Sequence, residues 1–220
     1  MNKKQALGGV VIALAVGLVV SYYIYYQGEK EVIAAEALSN ALAPQAQAGN
    51  ARKDMPTAFL KVANEYPGTR AGAQAVLHAA TALFTEGNYN KAQAEFQRFL
   101  REHPDSPLAG TALLGVAACF DATGETNKAA FAYKDLIDRH PNENVVPQAK
   151  FALAQIYEAQ NQIEPALNLY ESVGRDAYSS VGAEAGMRAE ELKRKYPKLA
   201  AASPAPLITP ALPTGLTNKP

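Results

Sequence analysis

The chain is predicted to be all-α: a single N-terminal transmembrane helix, then an α-solenoid of about three to four helical hairpins with a C-terminal capping helix and a flexible tail. Residues 6–26 form a run of 21 without one charged side chain. From Phe59 to Tyr178 a pattern of small and aromatic residues recurs at a fixed spacing of 37. Pro67, Pro104 and Pro141 close three of these units, and Tyr178 stands where a fourth proline would fall.

At the N-terminus, residues 1–5 are read as a cytoplasmic tail and 6–26 as the span. As a helix, 21 residues reach about 30 Å, the thickness of a bilayer core. Lys3 and Lys4 precede the run, and Glu29, Lys30 and Glu31 follow it. That asymmetry keeps the N-terminus in the cytoplasm and exports the rest. Tyr22, Tyr23, Tyr25 and Tyr26 would form an aromatic belt at the outer interface. A cleaved signal peptide is the competing reading. The only cysteine is Cys119, so no lipidation site follows the run. Gly9, Ala13, Gly17 and Ser21 recur every fourth residue, a small-residue stripe that lets membrane helices pack closely on another membrane protein or a second copy. The same stripe also follows simply from the abundance of Gly and Ala in such helices.

Residues 27–53 are read as a juxtamembrane helix and loop. Val32, Ala35, Leu38 and Leu42 share a helical face, as a stalk or as the first helix of a partial leading repeat. Residues 43–53, beginning Ala43-Pro44, lack large apolar side chains and read as the loop.

Residues 54–197 are read as the repeat domain, with helical segments near 54–66, 73–103, 110–140 and 147–174. Aligned on itself, the domain stacks Ala80, Ala117 and Ala154; Leu83, Phe120 and Tyr157; and Ala92, Ala129 and Ala166. Phe59, Phe96, Tyr133 and Tyr170 form another column, as do Val62, Phe99, Leu136 and Val173. Each unit opens with an apolar-periodic segment. Gly87, Gly124 or Asn161 then permits a tight turn, and a second such segment ends beside proline. Ala80 and Ala92 belong where the two helices cross, because larger side chains would push the axes beyond about 8–10 Å. Phe96 and Phe99 fill the gap to the next hairpin. Pro104 has no N–H to donate and stops the second helix.

These residues resemble the tetratricopeptide repeat, whose pattern is a bulky residue, then Leu-Gly, Tyr, Ala, Phe, Ala and Pro. The copy from Ala73 to Pro104 matches with Ala79-Ala80, Leu83, Ala92, Phe96 and Pro104. Val76, Leu113 and Lys150 replace the first-position tryptophan, and the third copy lacks both turn glycine and final proline. The unit of 37 exceeds the usual length of about 34, and the excess falls in polar turns such as Asp105-Ser106-Pro107. That longer spacing, with Tyr66-Pro67-Gly68-Thr69 and His103-Pro104-Asp105-Ser106 at the turns, is similar to repeat proteins of the bacterial envelope.

After Ser180 a last helix to Tyr196 carries Val181, Ala185, Ala189, Leu192 and Tyr196 on one face, as a terminal cap needs. Lys193, Arg194 and Lys195 would be its solvated C-terminal turn, where cations suit the helix dipole. Residues 198–220, rich in Ala and Pro with Lys219 as the charge near the end, are read as a disordered tail. Such a segment either stays unstructured or binds a partner in extended form.

The chain has 21 basic and 21 acidic residues, which speaks against nucleic-acid binding, since phosphate needs a basic face. His103 and His140 precede repeat prolines as turn residues, and His78 stands alone on a first helix. Cys119 reads as a small buried hydrophobe, or as the thiol of an intermolecular disulfide. No phosphate loop, metal cluster or activated nucleophile is found. The expectation is a protein that is not an enzyme and takes no cofactor and no metal.

What remains is binding. In tetratricopeptide arrays the first helix of each unit lines a concave face. The resemblance places there Gln74, Leu77 and Thr81, then Thr111, Leu114 and Ala118, then Gln148, Phe151 and Gln155. Arrays that capture a C-terminal carboxylate use Lys, Arg and Asn at such places, and none is present. Leu77, Leu114 and Phe151 imply either a mildly apolar groove for a protein segment or side chains covered by neighbouring helices.

An anchor followed by an exported array resembles the YfgM family, ancillary subunits of the SecYEG translocon that work beside periplasmic chaperones. The repeats alone are also similar to BamD and CpoB, although this chain has no lipobox cysteine. The resemblance implies an inner-membrane, single-pass, non-catalytic scaffold with periplasmic repeats that assists protein export or envelope assembly. Its partners would be a membrane protein along the anchor and a protein segment on the repeats, from the translocon or a periplasmic chaperone. The alternative is a permanent structural subunit of a larger inner-membrane complex.

Overall fold

Helix α1 runs unbroken from Lys3 to Leu42 in the computed structural model, which describes residues 3–43 and 55–200, with side chains from residue 14 to 198. No proline lies within it, and Pro44 follows its end. The helix changes character along its length. Leu14, Leu18, Val19, Tyr22 and Ile24 are exposed, Leu18 by 73 %, whereas Ala34 and Leu38 are buried. Tyr22 and Tyr26 stack with ring centroids 6.5 Å apart, and Gln27 donates to the Tyr23 hydroxyl at 2.8 Å. Among the described side chains no helix is long and apolar enough to cross a membrane. The charge-free run at 6–26 extends beyond them on its N-terminal side.

The distal part of α1 is not a free stalk. It packs on α2 (Met55–Glu65) and α3 (Arg70–Thr85), and Ala34 and Leu38 share a core with Phe59, Val62, Val76 and Leu77. The Glu31 carboxylate accepts from the backbone N–H of Arg70 at 2.9 Å and of Ala71 at 3.1 Å, and Lys30 Nζ donates to the Pro67 carbonyl at 3.3 Å. Thr69 Oγ1 accepts from Gly72 N at 2.9 Å, so two side chains satisfy the orphan donors that open α3. With these caps α3 starts at Arg70, three residues before the expected hairpin at 73. Ala35-Glu36-Ala37, a small-x-small triplet of the kind a signal peptidase cuts, lies inside this packed helix.

The chain divides into two compact units, residues 1–153 and 154–220. The first unit continues with α4 (Tyr89–Glu102), α5 (Ala109–Ala122), α6 (Thr126–Arg139) and the start of α7 (Val146–Ala159). Each element packs on the next, from α2 through α6. Ala80, Ala92, Ala112, Ala117 and Ala129 are fully buried where helices meet, and Phe96 and Phe99 fill the layer between them. Gly115 is glycine because a Cβ there would lie 2.5 Å from the Phe96 ring. Gly87 and Gly124 adopt φ of 80° and 77°, the left-handed region that glycine enters without strain. At Pro104 helix α4 has already ended, with His103 N bonding back to Phe99 O at 2.8 Å.

In the second unit the rest of α7 precedes α8 (Ile163–Gly174), α9 (Ser180–Lys195) and the short α10 (Pro197–Ala200). Asn161, at φ 58°, takes the place of the turn glycine between α7 and α8. Tyr170 is fully buried and donates to Glu158 Oε2 at 3.0 Å. Burial, then that bond and the Glu158 charge, push its phenol upward. Ser179 caps α9 by accepting from Gly182 N at 3.0 Å, and Ala185, Ala189 and Leu192 bury the face expected of a terminal helix. Lys193 departs from the expected solvated turn: its Nζ lies 2.9 Å from Glu171 and 3.0 Å from Glu190, tying α9 to α8. Of the expected loop at 43–53, residues 44–53 lie outside the described residues; of the expected tail at 198–220, residues 198–200 belong to α10 and the rest lie outside the described residues.

Candidate protein-binding face

The nine positions expected on the first helices fall into three kinds of surrounding. Thr81, Thr111, Gln148 and Gln155 are exposed. Gln74, Leu114, Ala118 and Phe151 are half-buried. Leu77 is only 8 % exposed, in the same core as Ala34 and Leu38, so it offers no surface to a ligand. Thr81 turns its hydroxyl to its own helix, donating to the Leu77 carbonyl at 2.9 Å. Gln74 lines a cleft of about 330 Å³ of mixed character, with Thr69, Arg70, His103 and Ser106 beside Ala73, Pro107 and Leu108. Of the stripe on α1, Gly17 and Ser21 are exposed, and a Cβ on Gly17 would meet nothing within 4 Å. The side chains of Gly9 and Ala13 lie outside the described residues.

A second surface was missed by reasoning from the repeat. Leu113, Val116 and Phe120 of α5 and Lys128, Phe131 and Asp135 of α6 line a groove of about 480 Å³. Phe131 is 72 % exposed. The signal was there: one repeat either side, the same column holds Ala94 and Asn168, so Phe131 breaks the pattern. Lys128 closes one end, its Nζ 5.5 Å from the Phe120 ring centroid and paired with Glu125. The hydrogen bond from Lys128 is the main cause that holds the Glu125 carboxyl below its usual range.

Burial is the leading cause of the shifts at Cys119, Asp121, Tyr133 and His78. Burial pushes the Cys119 thiol up to about 11, which suits a packed hydrophobe rather than a nucleophile. Asp121 is raised by burial. Tyr133 is raised mainly by burial, with the Asp121 and Cys119 charges adding to it. His78 stacks on Phe59 with centroids 5.2 Å apart, and burial lowers its pKa. Among the described residues no group of three His, Cys, Asp or Glu side chains could hold a metal ion.

A scan against protein-family models matches the tetratricopeptide repeat-like domain over residues 1–120 and 91–188. No relative was found among curated proteins. Solved structures share the fold at low identity. A single-substitution variant of the nearly identical tetratricopeptide-like repeats of a putative kinesin light chain from Podosopora anserina has a TM-score of 0.57 at 12% identity, over 76% of this chain and 89% of that one. Two structures of MamA superpose with TM-scores of 0.51 and 0.50 at 16% and 17% identity, over 74% and 82% of this chain and 92% and 99% of theirs. These neighbours are arrays of helical hairpins, a fold that typically serves as a non-catalytic scaffold for protein partners. With the repeat columns buried as described and the family model matching most of its length, the chain belongs to the tetratricopeptide repeat-like domain family.

Proposed function

We propose that this chain is a membrane-anchored, non-catalytic scaffold whose repeats hold another protein on the periplasmic side of the inner membrane, assisting protein export or envelope assembly. One observation carries the reading. Helix α1 bares a continuous apolar surface from Leu14 to Tyr26 and then merges, without a break, into the first packed helices of the array. Water does not favour an uncovered rod of Leu, Val, Ile and Tyr, whereas a bilayer interior does. The family match starts at residue 1 and so takes in this helix, which supports treating anchor and repeats as one design. The lysines before the run favour a cytoplasmic N-terminus. On the repeats, the groove at Phe131 and the exposed Thr111 and Gln148 offer the contact surface.

The test is a mild-detergent pull-down of the intact chain, with partners identified and counted by mass spectrometry. Translocon or chaperone components at low, exchangeable ratios, lost on Phe131→Asp or on introducing charge at Thr111 and Gln148, support the scaffold. A fixed set of membrane subunits at unit ratio, retained in those variants, makes the chain a permanent structural subunit instead.

A further inference from the structure

The turns that join each second helix to the next first helix lie side by side along one edge of the first unit. Gly68, Thr69 and Arg70 of one turn and His103, Ser106 and Pro107 of the next line a single cleft. Gly110, in the first turn of α5, abuts the turn after that, where an added Cβ would lie 2.8 Å from the Glu143 carboxyl carbon. At the near end of the row, Lys30 and Glu31 of α1 grip the turn at 66–69 through the three hydrogen bonds given above.

We propose that this edge, formed by turns 66–69, 103–108 and 140–145, is the face of the chain that lies against bilayer headgroups. The inference rests on the anchored reading. If α1 leaves the hydrocarbon within the belt from Tyr22 to Tyr26, Glu31 follows five to nine residues later, about 7–14 Å further along the helix axis. The polar layer of a leaflet is about 5–8 Å thick. The grip of Glu31 on Arg70 and Ala71 therefore sets the turn at 66–69 at the outer limit of the headgroups or just beyond it, and the neighbouring turns continue from it. Arg70 is exposed there, and among the described residues no carboxylate pairs with its guanidinium. In the anchored reading a lipid phosphate is the partner left for the guanidinium, since the Glu31 carboxylate is taken up by the backbone N–H groups of Arg70 and Ala71. Asp105 and Glu143 make the far end of the edge acidic, so attraction is confined to the first turn and the anchor supplies the hold. The opposite turns, at Gly87 and Gly124, stand one helix away, about 24 Å for the 16 residues of α3.

The sequence has no tryptophan, so single insertions report on position. The full chain carrying Asp105→Trp, Asn142→Trp or Glu86→Trp, each at an exposed turn or helix-end position, is reconstituted into phosphatidylcholine and phosphatidylglycerol vesicles that contain a headgroup-nitroxide lipid. Loss of emission at D105W and N142W, with none at E86W, is expected. Equal loss at all three, or loss confined to E86W, overturns the proposal while leaving the anchor intact. Failure of the chain to float with the vesicles overturns the anchored reading itself, and this proposal with it.

Discussion

Single atoms decide several positions. Gly72 has its missing Cβ 2.2 Å from the Tyr66 carbonyl, and Gly115 has its own 2.5 Å from the buried Phe96 ring. Gly72→Ala and Gly115→Ala should each lower stability by about 1–3 kcal/mol, read from the urea midpoint. Gly186→Ala, where nothing lies within 4 Å, should be neutral or stabilising by up to about 1 kcal/mol through helix propensity. His78 supplies a pH dependence. Its folded pKa lies below the ordinary 6.5, so the unfolded chain takes the proton first as pH falls. Stability should be full above that ordinary value and decline below it until the lowered folded pKa is passed; His78→Gln should flatten the decline in urea midpoints taken between about pH 7.5 and 5. At this scale the repeat columns were legible, because Ala at a crossing and Gly or Asn at a turn each have one physical reason. Phe131 was not, since a column argument finds what recurs and passes over what departs.

At the scale of elements, the hairpins could be read but the junction with α1 could not. The segment from Gln27 to Ala43, with Val32, Ala35, Leu38 and Leu42 at helical spacing, gave two readings, stalk or leading helix. What settles it is a bond between residues 39 and 40 positions apart, Glu31 with Arg70 and Ala71, which no local pattern encodes. Glu31→Ala removes the acceptor for two opening N–H groups of α3 and should cost about 1–2 kcal/mol, as should Thr69→Ala, both by chemical denaturation. Hydrogen exchange at Arg70 and Ala71 should quicken in Glu31→Ala, and at Gly72 in Thr69→Ala. The bond between Lys193 and Glu171 escaped for the same reason: a basic run beside a helix end looks solvated until its neighbour is placed.

For the whole chain, the array was predictable because its period is in the sequence, whereas which of its side chains stay open to solvent was not. Family geometry nominated nine residues, and Leu77 among them is covered by packing with α1 that the generic repeat lacks. The stripe at Gly17 and Ser21 remains open along the exposed part of α1. If a second helix uses it, Gly9→Leu with Gly17→Leu should abolish crosslinking through α1, and unchanged crosslinking counts against that contact.

The unbroken course of α1 has a mechanical meaning. A helix that is both axle and first rib transmits rotation, at about 100° and 1.5 Å for each residue added. One residue inserted between Tyr26 and Glu29 would swing the helices packed on α1 by about a quarter-turn around its exposed part, and seven would bring them back almost in phase, about 10 Å further along the axis. Partner capture that fails with one inserted residue and returns with seven would mean that the azimuth of the packed helices about α1 is part of what the partner recognises.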